Sequence, residues 1–179
     1  MENIRNLMKK ENFTAIGLEI DFIRLFSYHE LEKSKNLGDN SLIAKFQKIN
    51  FSKSSLWDDD FHELSLLAWY AFHTFPGQEM WESVQIAENT GIPYFLLDQN
   101  IHTMQREVQN LSTDRNHIVI DKRDLKMVTK LLKILCQLDE DAKFLCIVGR
   151  AHLNGLFSRY ETIQQLGSKK LYPILLWEG

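Results

Sequence analysis

The chain has almost no cysteine: Cys136 and Cys146 are the only two among 179 residues. Two are too few for a disulfide framework or a cysteine-built zinc site. Cys136 falls in a helical pattern and Cys146 in an apolar run, so both read as reduced core residues. The expected compartment is the cytoplasm. No run of about 18 apolar residues occurs, so no membrane span is expected. The start, Met1 to Asn12, is too charged for a secretory signal. Positive charge is not in excess either, with 21 Lys and Arg against 24 Asp and Glu and a net charge of -3. A nucleic-acid surface needs a basic stripe, so no nucleic-acid partner is expected. Neither GxGxxG nor a Walker lysine is present, which excludes the common phosphate loops. No Ser or Cys stands in a nucleophile elbow. Internal repeats and low-complexity tracts are also missing.

What is present is the pattern of one α/β domain spanning residues 1–179. Phe144 to Val148 are five apolar residues in a row, which suits a strand buried on both faces of a parallel sheet. Phe13 to Ile20 reads as the first strand and Tyr94 to Leu97 as a second. Ile118 to Ile120 reads as a short strand. Leu171 to Trp177 is the last, with Pro173 pushing it to an edge. Helical spacing covers Met1 to Lys10, Phe22 to Lys33, Leu42 to Ile49, Asp58 to Phe75 and Glu79 to Asn89. It returns from Ile101 to Leu111, then from Asp124 to Leu138, where Leu125, Val128, Leu131, Leu132 and Leu135 form an apolar stripe. A final helix carries Leu156, Tyr160, Ile163 and Leu166. Asn36 to Ser41 is a loop by composition, and Gly91-Ile92-Pro93 stops a helix. The predicted architecture is a mostly parallel central sheet flanked by helices. A helical insertion, residues 36–90 or so, separates the first two strands.

Three strands end in a group with useful chemistry: Glu19, Asp98 and His152. In a parallel sheet all three fall on one rim, outside the carboxyl ends of the strands, where open α/β sheets place ligands. A histidine there binds metal or moves protons. The plainer alternative is that acidic residues cap the helix after a βα turn. Because such rims are solvated, His152→Ala is expected to cost little stability, whereas Ile147→Ala should cost about 2–5 kcal/mol. His62-Glu63-Leu64-Ser65-Leu66 begins like the zinc motif HExxH but lacks its second histidine. His62 and His73 lie roughly 16 Å apart at the helical rise, too far to share one ion.

Several of these residues resemble one family, the TraB/Tiki group of pheromone-shutdown proteins and Tiki-type metalloproteases. Ile147-Val148-Gly149-Arg150-Ala151-His152-Leu153-Asn154-Gly155 resembles its second GxxH motif with a trailing small residue. Ile16-Gly17-Leu18-Glu19-Ile20-Asp21 with Arg24 resembles its strand ending in Glu-Leu-Asp. Pro76-Gly77-Gln78-Glu79-Met80 with Ala87 resembles its Gly-x-Glu helix start. Leu97-Asp98 with Thr103 and Arg106 resembles its Asp-Arg…Thr…Arg segment, with Gln99 standing where the arginine usually is. Only a short helical stretch precedes Phe13, so the family's opening strand and first GxxH have no counterpart here. The resemblance implies a metal-dependent hydrolase or peptidase in which Glu19 and His152 hold Mn, Co or Zn weakly. Arg106 would act with them on an anionic group, and Glu79, Asp98, Thr103 and Arg150 would bind substrate. A peptide or small-molecule ligand and a homodimer are the implied partners. With the first histidine missing, a non-catalytic module binding a peptide, ligand or partner chain stays open beside the enzyme.

Overall fold

The computed structural model of the protein describes residues 2–34, 77–110 and 117–159. Helix α1 (Glu2–Lys10) leads into strand β1 (Ala15–Leu18) and helix α2 (Phe22–Ser34). Helix α3 (Gln78–Thr90), strand β2 (Tyr94–Leu96) and helix α4 (Ile101–Asn110) follow. A π-helical turn, His117–Lys122, then runs into helix α5 (Arg123–Leu135), strand β3 (Phe144–Ile147) and helix α6 (Arg150–Ser158). The strands form one parallel sheet in the order β2-β1-β3. The helices expected at Leu42 to Ile49 and Asp58 to Phe75, the loop at Asn36 to Ser41, the His62 and His73 positions and the strand at Leu171 to Trp177 lie outside the described residues.

The apolar runs explain the sheet. All four residues of β1 are buried, as expected of a central strand covered on both faces. Ile16 pairs with Tyr94 and Leu145, and Leu18 with Leu96 and Ile147. Side chains alternate along a strand, so these six share a face. Met8 of α1, Leu25 and Tyr28 of α2, and Met80, Trp81, Val84 and Ala87 of α3 pack with that face as the core. On the other face Gly17 leaves room for the Phe144 ring. A Cβ at Gly17 would fall 2.7 Å from Phe144 Cζ and 2.9 Å from Leu97 Cδ1. Helix α3 stops at Gly91, whose φ of 72° gives a left-handed cap, the conformation glycine adopts most readily.

Three expectations are corrected. The run Ile118 to Ile120 lies in the π-helical turn and not in a strand. A three-residue apolar run fits a buried helical turn equally well, and this turn packs against α4, α5 and α6. The apolar stripe of α5 holds at Val128, which is buried, and at the half-buried Leu131, Leu132 and Leu135, but Leu125 is 57% exposed, and Arg123, Asp124 and Met127 are buried instead. The charged pair takes the inward face because it has charged partners there. Both cysteines are free, but Cys136 is exposed beyond the end of α5 instead of lying in the core. No helix among the described residues is long and apolar enough to cross a membrane.

The strand order places the site. From β1 the chain moves to β2 on one side, then returns past β1 to β3 on the other. Such a reversal opens a crevice between β1 and β3 at their carboxyl ends.

Candidate functional site

Glu19 is the first residue beyond β1, and Gly149 and His152 follow β3, so both sides of that crevice carry polar groups. His152 sits in the first turn of α6, its backbone N–H bonded to the Gly149 carbonyl at 3.0 Å. Its ring is held at both nitrogens. Nδ1 lies 2.5 Å from Asp124 Oδ1, and Nε2 lies 3.2 Å from Glu19 Oε1. Arg123 Nη2 donates to the same Glu19 oxygen at 2.7 Å. The Gly149 N–H donates to Glu19 Oε2 at 2.5 Å, so the positive end of α6 faces that carboxylate.

From Arg123 the network continues to Asp98. Arg123 Nε and Nη2 reach Asp98 Oδ1 and Oδ2 at 3.0 and 2.5 Å. This two-point grip is the geometry for which a guanidinium is built. The Gln99 N–H adds a bond to Asp98 Oδ1 at 2.7 Å. Arg24 Nη2 also bonds Asp98, and Arg24 Nε reaches Asp21 Oδ1 at 3.3 Å. Seven side chains thus form one chain: Asp124, His152, Glu19, Arg123, Asp98, Arg24 and Asp21. All except Arg24 are buried, and Asp124 is wholly so.

The protonation states follow from these contacts. Burial alone would raise the Glu19 carboxyl, but the His152 hydrogen bond, the His152 and Arg123 charges and the Gly149 N–H hold it below its ordinary value. Burial alone would lower His152, but its bond to Glu19, the Glu19 charge and the Asp124 bond lift it above its ordinary value. Asp98 is lowered against its own burial by the Arg123 hydrogen bond and the Arg24 and Arg123 charges. The arrangement therefore favours an imidazolium beside an ionised carboxylate, a pair able to give and take one proton.

The structure brings Glu19, Asp98 and His152 together. It places the other expected site residues differently. Arg106 is exposed on α4, its Nε donating to the His102 carbonyl of its own helix at 3.3 Å. Glu79 is exposed in the first turn of α3, Thr103 is half-buried on α4, and Arg150 is exposed at the start of α6. His152 is 3% exposed, so the solvated rim expected for it is corrected: its ring bonds bury it. Arg123 and Asp124 were not legible as site residues. Their signal is nevertheless in the sequence: each sits four positions before a core residue, Met127 or Val128, and so on the helix face that turns inward.

The described residues do not fit a resident divalent ion. Among them no three His, Cys, Asp or Glu side chains are grouped as metal ligands, whereas a catalytic metal normally takes three. Glu19 Oε1, the expected donor, already accepts a guanidinium at 2.7 Å. A permanent cation thus stands where a second cation would have to bind. Comparisons with protein-family models, with curated proteins and with solved structures each gave no match.

Proposed function

We propose that the chain is a hydrolase of TraB/Tiki-like architecture, with the helical insertion between its first two strands, that works by acid–base chemistry on an acyl substrate such as a peptide or small ester. The observation that carries this reading is the His152 ring, held between Asp124 and Glu19 at the mouth of the β1–β3 crevice. Glu19 would orient a water and take its proton as the water oxygen attacks the substrate carbonyl. His152 would give its Nε2 proton to the leaving group as the bond to carbon breaks. The proton on Glu19 then crosses the 3.2 Å contact to Nε2, restoring both groups. Arg123, beside Glu19, would steady the negative charge that develops on the carbonyl oxygen. This gives Arg123 the part that the family resemblance assigns to Arg106.

One observation favours the second reading, a non-catalytic binding module. Both Glu19 oxygens are already bonded, and Glu19 is only 9% exposed. A single experiment separates the readings: assay a panel of esters, amides and peptides with wild type, Glu19→Gln and His152→Asn, with chelator and with added Mn, Co or Zn. The expected result is turnover indifferent to chelator and at least about 100-fold slower in each variant. Turnover that chelator abolishes and Mn restores would return the site to metal chemistry. No turnover on any substrate by folded protein would favour the binding module.

A further inference from the structure

Asp124 is fully buried. One of its oxygens, Oδ1, holds His152 Nδ1 at 2.5 Å. The other, Oδ2, is buried without a hydrogen-bond partner, the Arg159 Nη1 atom lying 3.8 Å away. What surrounds this carboxylate is helix α6, at Gly155. A Cβ built there would fall 1.5 Å from Asp124 Oδ2, 2.5 Å from Cγ and 3.2 Å from Cβ. The carboxylate fills the space of the side chain that any other residue would bring.

Backbone conformation gives no reason for a glycine at this position. Among the described glycines only Gly77 and Gly91 have positive φ, and Gly155 lies within α6. Glycine in a helix interior is less favourable than alanine. Room for Asp124 is the reason that remains. His152 and Gly155 are three residues apart on one helix, a spacing that puts them on the same face. Helix α6 therefore offers the imidazole and the gap beside it to the same carboxylate of α5.

We infer that Asp124 is a positioning residue, which holds the His152 ring by Nδ1 so that Nε2 meets Glu19, and that Gly155 is the notch that admits it. An acceptor on Nδ1 keeps the proton there and fixes which nitrogen faces the reaction. The inference deepens the acid–base reading and rests on it for its purpose, although its geometry can be tested without any substrate.

The test compares wild type with Gly155→Ala, Asp124→Ala, Asp124→Asn and the double variant Gly155→Ala/Asp124→Ala. Two readouts are taken at one fixed pH: the melting temperature, and the ring nitrogen and proton signals of His152 by ¹⁵N-correlated NMR. Gly155→Ala should melt well below wild type, whereas the double variant should melt no lower than Asp124→Ala alone, because removing the carboxylate makes room for the methyl. The His152 Nδ1 proton should be far downfield in wild type, upfield of that in Asp124→Asn, and lost to solvent exchange in Asp124→Ala and the double variant. Gly155→Ala melting like wild type, or additive losses in the double variant, would overturn the notch. An Nδ1 signal unmoved by both Asp124 variants would overturn the positioning role. If Asp124→Ala does not fold, the isosteric Asp124→Asn decides the ring question alone. Ring signals as expected with no hydrolysis on the substrate panel would leave the positioning intact and remove the hydrolytic reading. Hydrolysis with an unmoved ring signal would do the reverse.

Discussion

Arg123→Met tests the network at its centre. The Arg123 side chain is 6% exposed and bridges Glu19 and Asp98, which are 10% and 2% exposed. Methionine keeps much of the packing volume but removes the charge. Breaking a buried ion pair by deleting one partner costs about 3–5 kcal/mol, because the other charge stays buried. Here both carboxylates keep other partners. Asp98 retains Arg24 and the Gln99 N–H, and Glu19 retains His152 and the Gly149 N–H. The lower end, about 3 kcal/mol, is therefore expected. For a chain of this size that amounts to a fall of about 6–12 °C in melting temperature. Circular dichroism melts and urea titrations would measure it. Adding Glu19→Gln and Asp98→Asn should restore much of the loss, since neutral groups need no counter-charge. Arg123→Met melting within about 2 °C of wild type, or a triple variant less stable than Arg123→Met alone, would refute the reasoning.

Gly17→Ala should destabilise by about 1–3 kcal/mol through overpacking, because its methyl would meet Phe144 and Leu97 at under 3 Å; an unchanged urea midpoint would contradict that packing. Stability should be greatest between about pH 4.5 and 6.5, the ordinary values for Glu19 and His152. The folded-state value of His152 is raised, so its contribution is complete below 6.5 and is lost as pH rises through the folded value. The values of Glu19 and Asp98 are lowered, so theirs is complete above 4.5 and 3.8 and is lost as pH falls through the folded values. Melting temperatures higher at pH 8 than at pH 6 would show that the imidazole is not held as described. His152→Ala should cost about 2–3 kcal/mol by stranding Asp124. Ile147→Ala, from a half-buried position, should cost about 2 kcal/mol. The two should melt within a few degrees of each other, and a His152→Ala melt equal to wild type would mean the ring bonds are not formed.

The sheet was legible because its strands are short apolar runs flanked by helix-forming sequence, and a central strand leaves few alternatives to Ala15-Ile16-Gly17-Leu18. Glu19, Asp98 and His152 were legible for the same reason: each follows such a run, and parallel pairing puts them on one rim. Arg123 and Asp124 were not, because a charged pair at the start of a leucine-rich helix ordinarily faces water. Only the rim, with carboxylates and a histidine awaiting partners, makes the inward face of α5 the charged one and turns Leu125 outward. Periodicity locates a helix but cannot weigh the polar partners waiting at the end of a distant strand. The π-helical turn at His117–Lys122 was missed because its apolar run is too short to carry a period.

Asp21, Glu19, Asp98 and Asp124 bring four carboxylates to the rim, against the two guanidiniums of Arg24 and Arg123. Lys130 adds a third cation, its Nζ bonded to the Leu96 carbonyl at 3.2 Å and also to the Asp98 carbonyl. Arg159 adds a fourth, its Nη1 3.8 Å from Asp124 Oδ2, so the carboxylates are matched in number before His152 is counted. The imidazolium form of His152 is favoured locally, because both ring nitrogens face carboxylate oxygens. The proton on His152 is thus held by its two carboxylate neighbours, Glu19 and Asp124, and not by the net charge of the cluster. A ligand that brings an anionic group to this rim would hold that proton more firmly, and a cationic one would drive it off. Binding of charged ligands should therefore move the His152 ring signals in opposite directions according to the sign of the ligand charge.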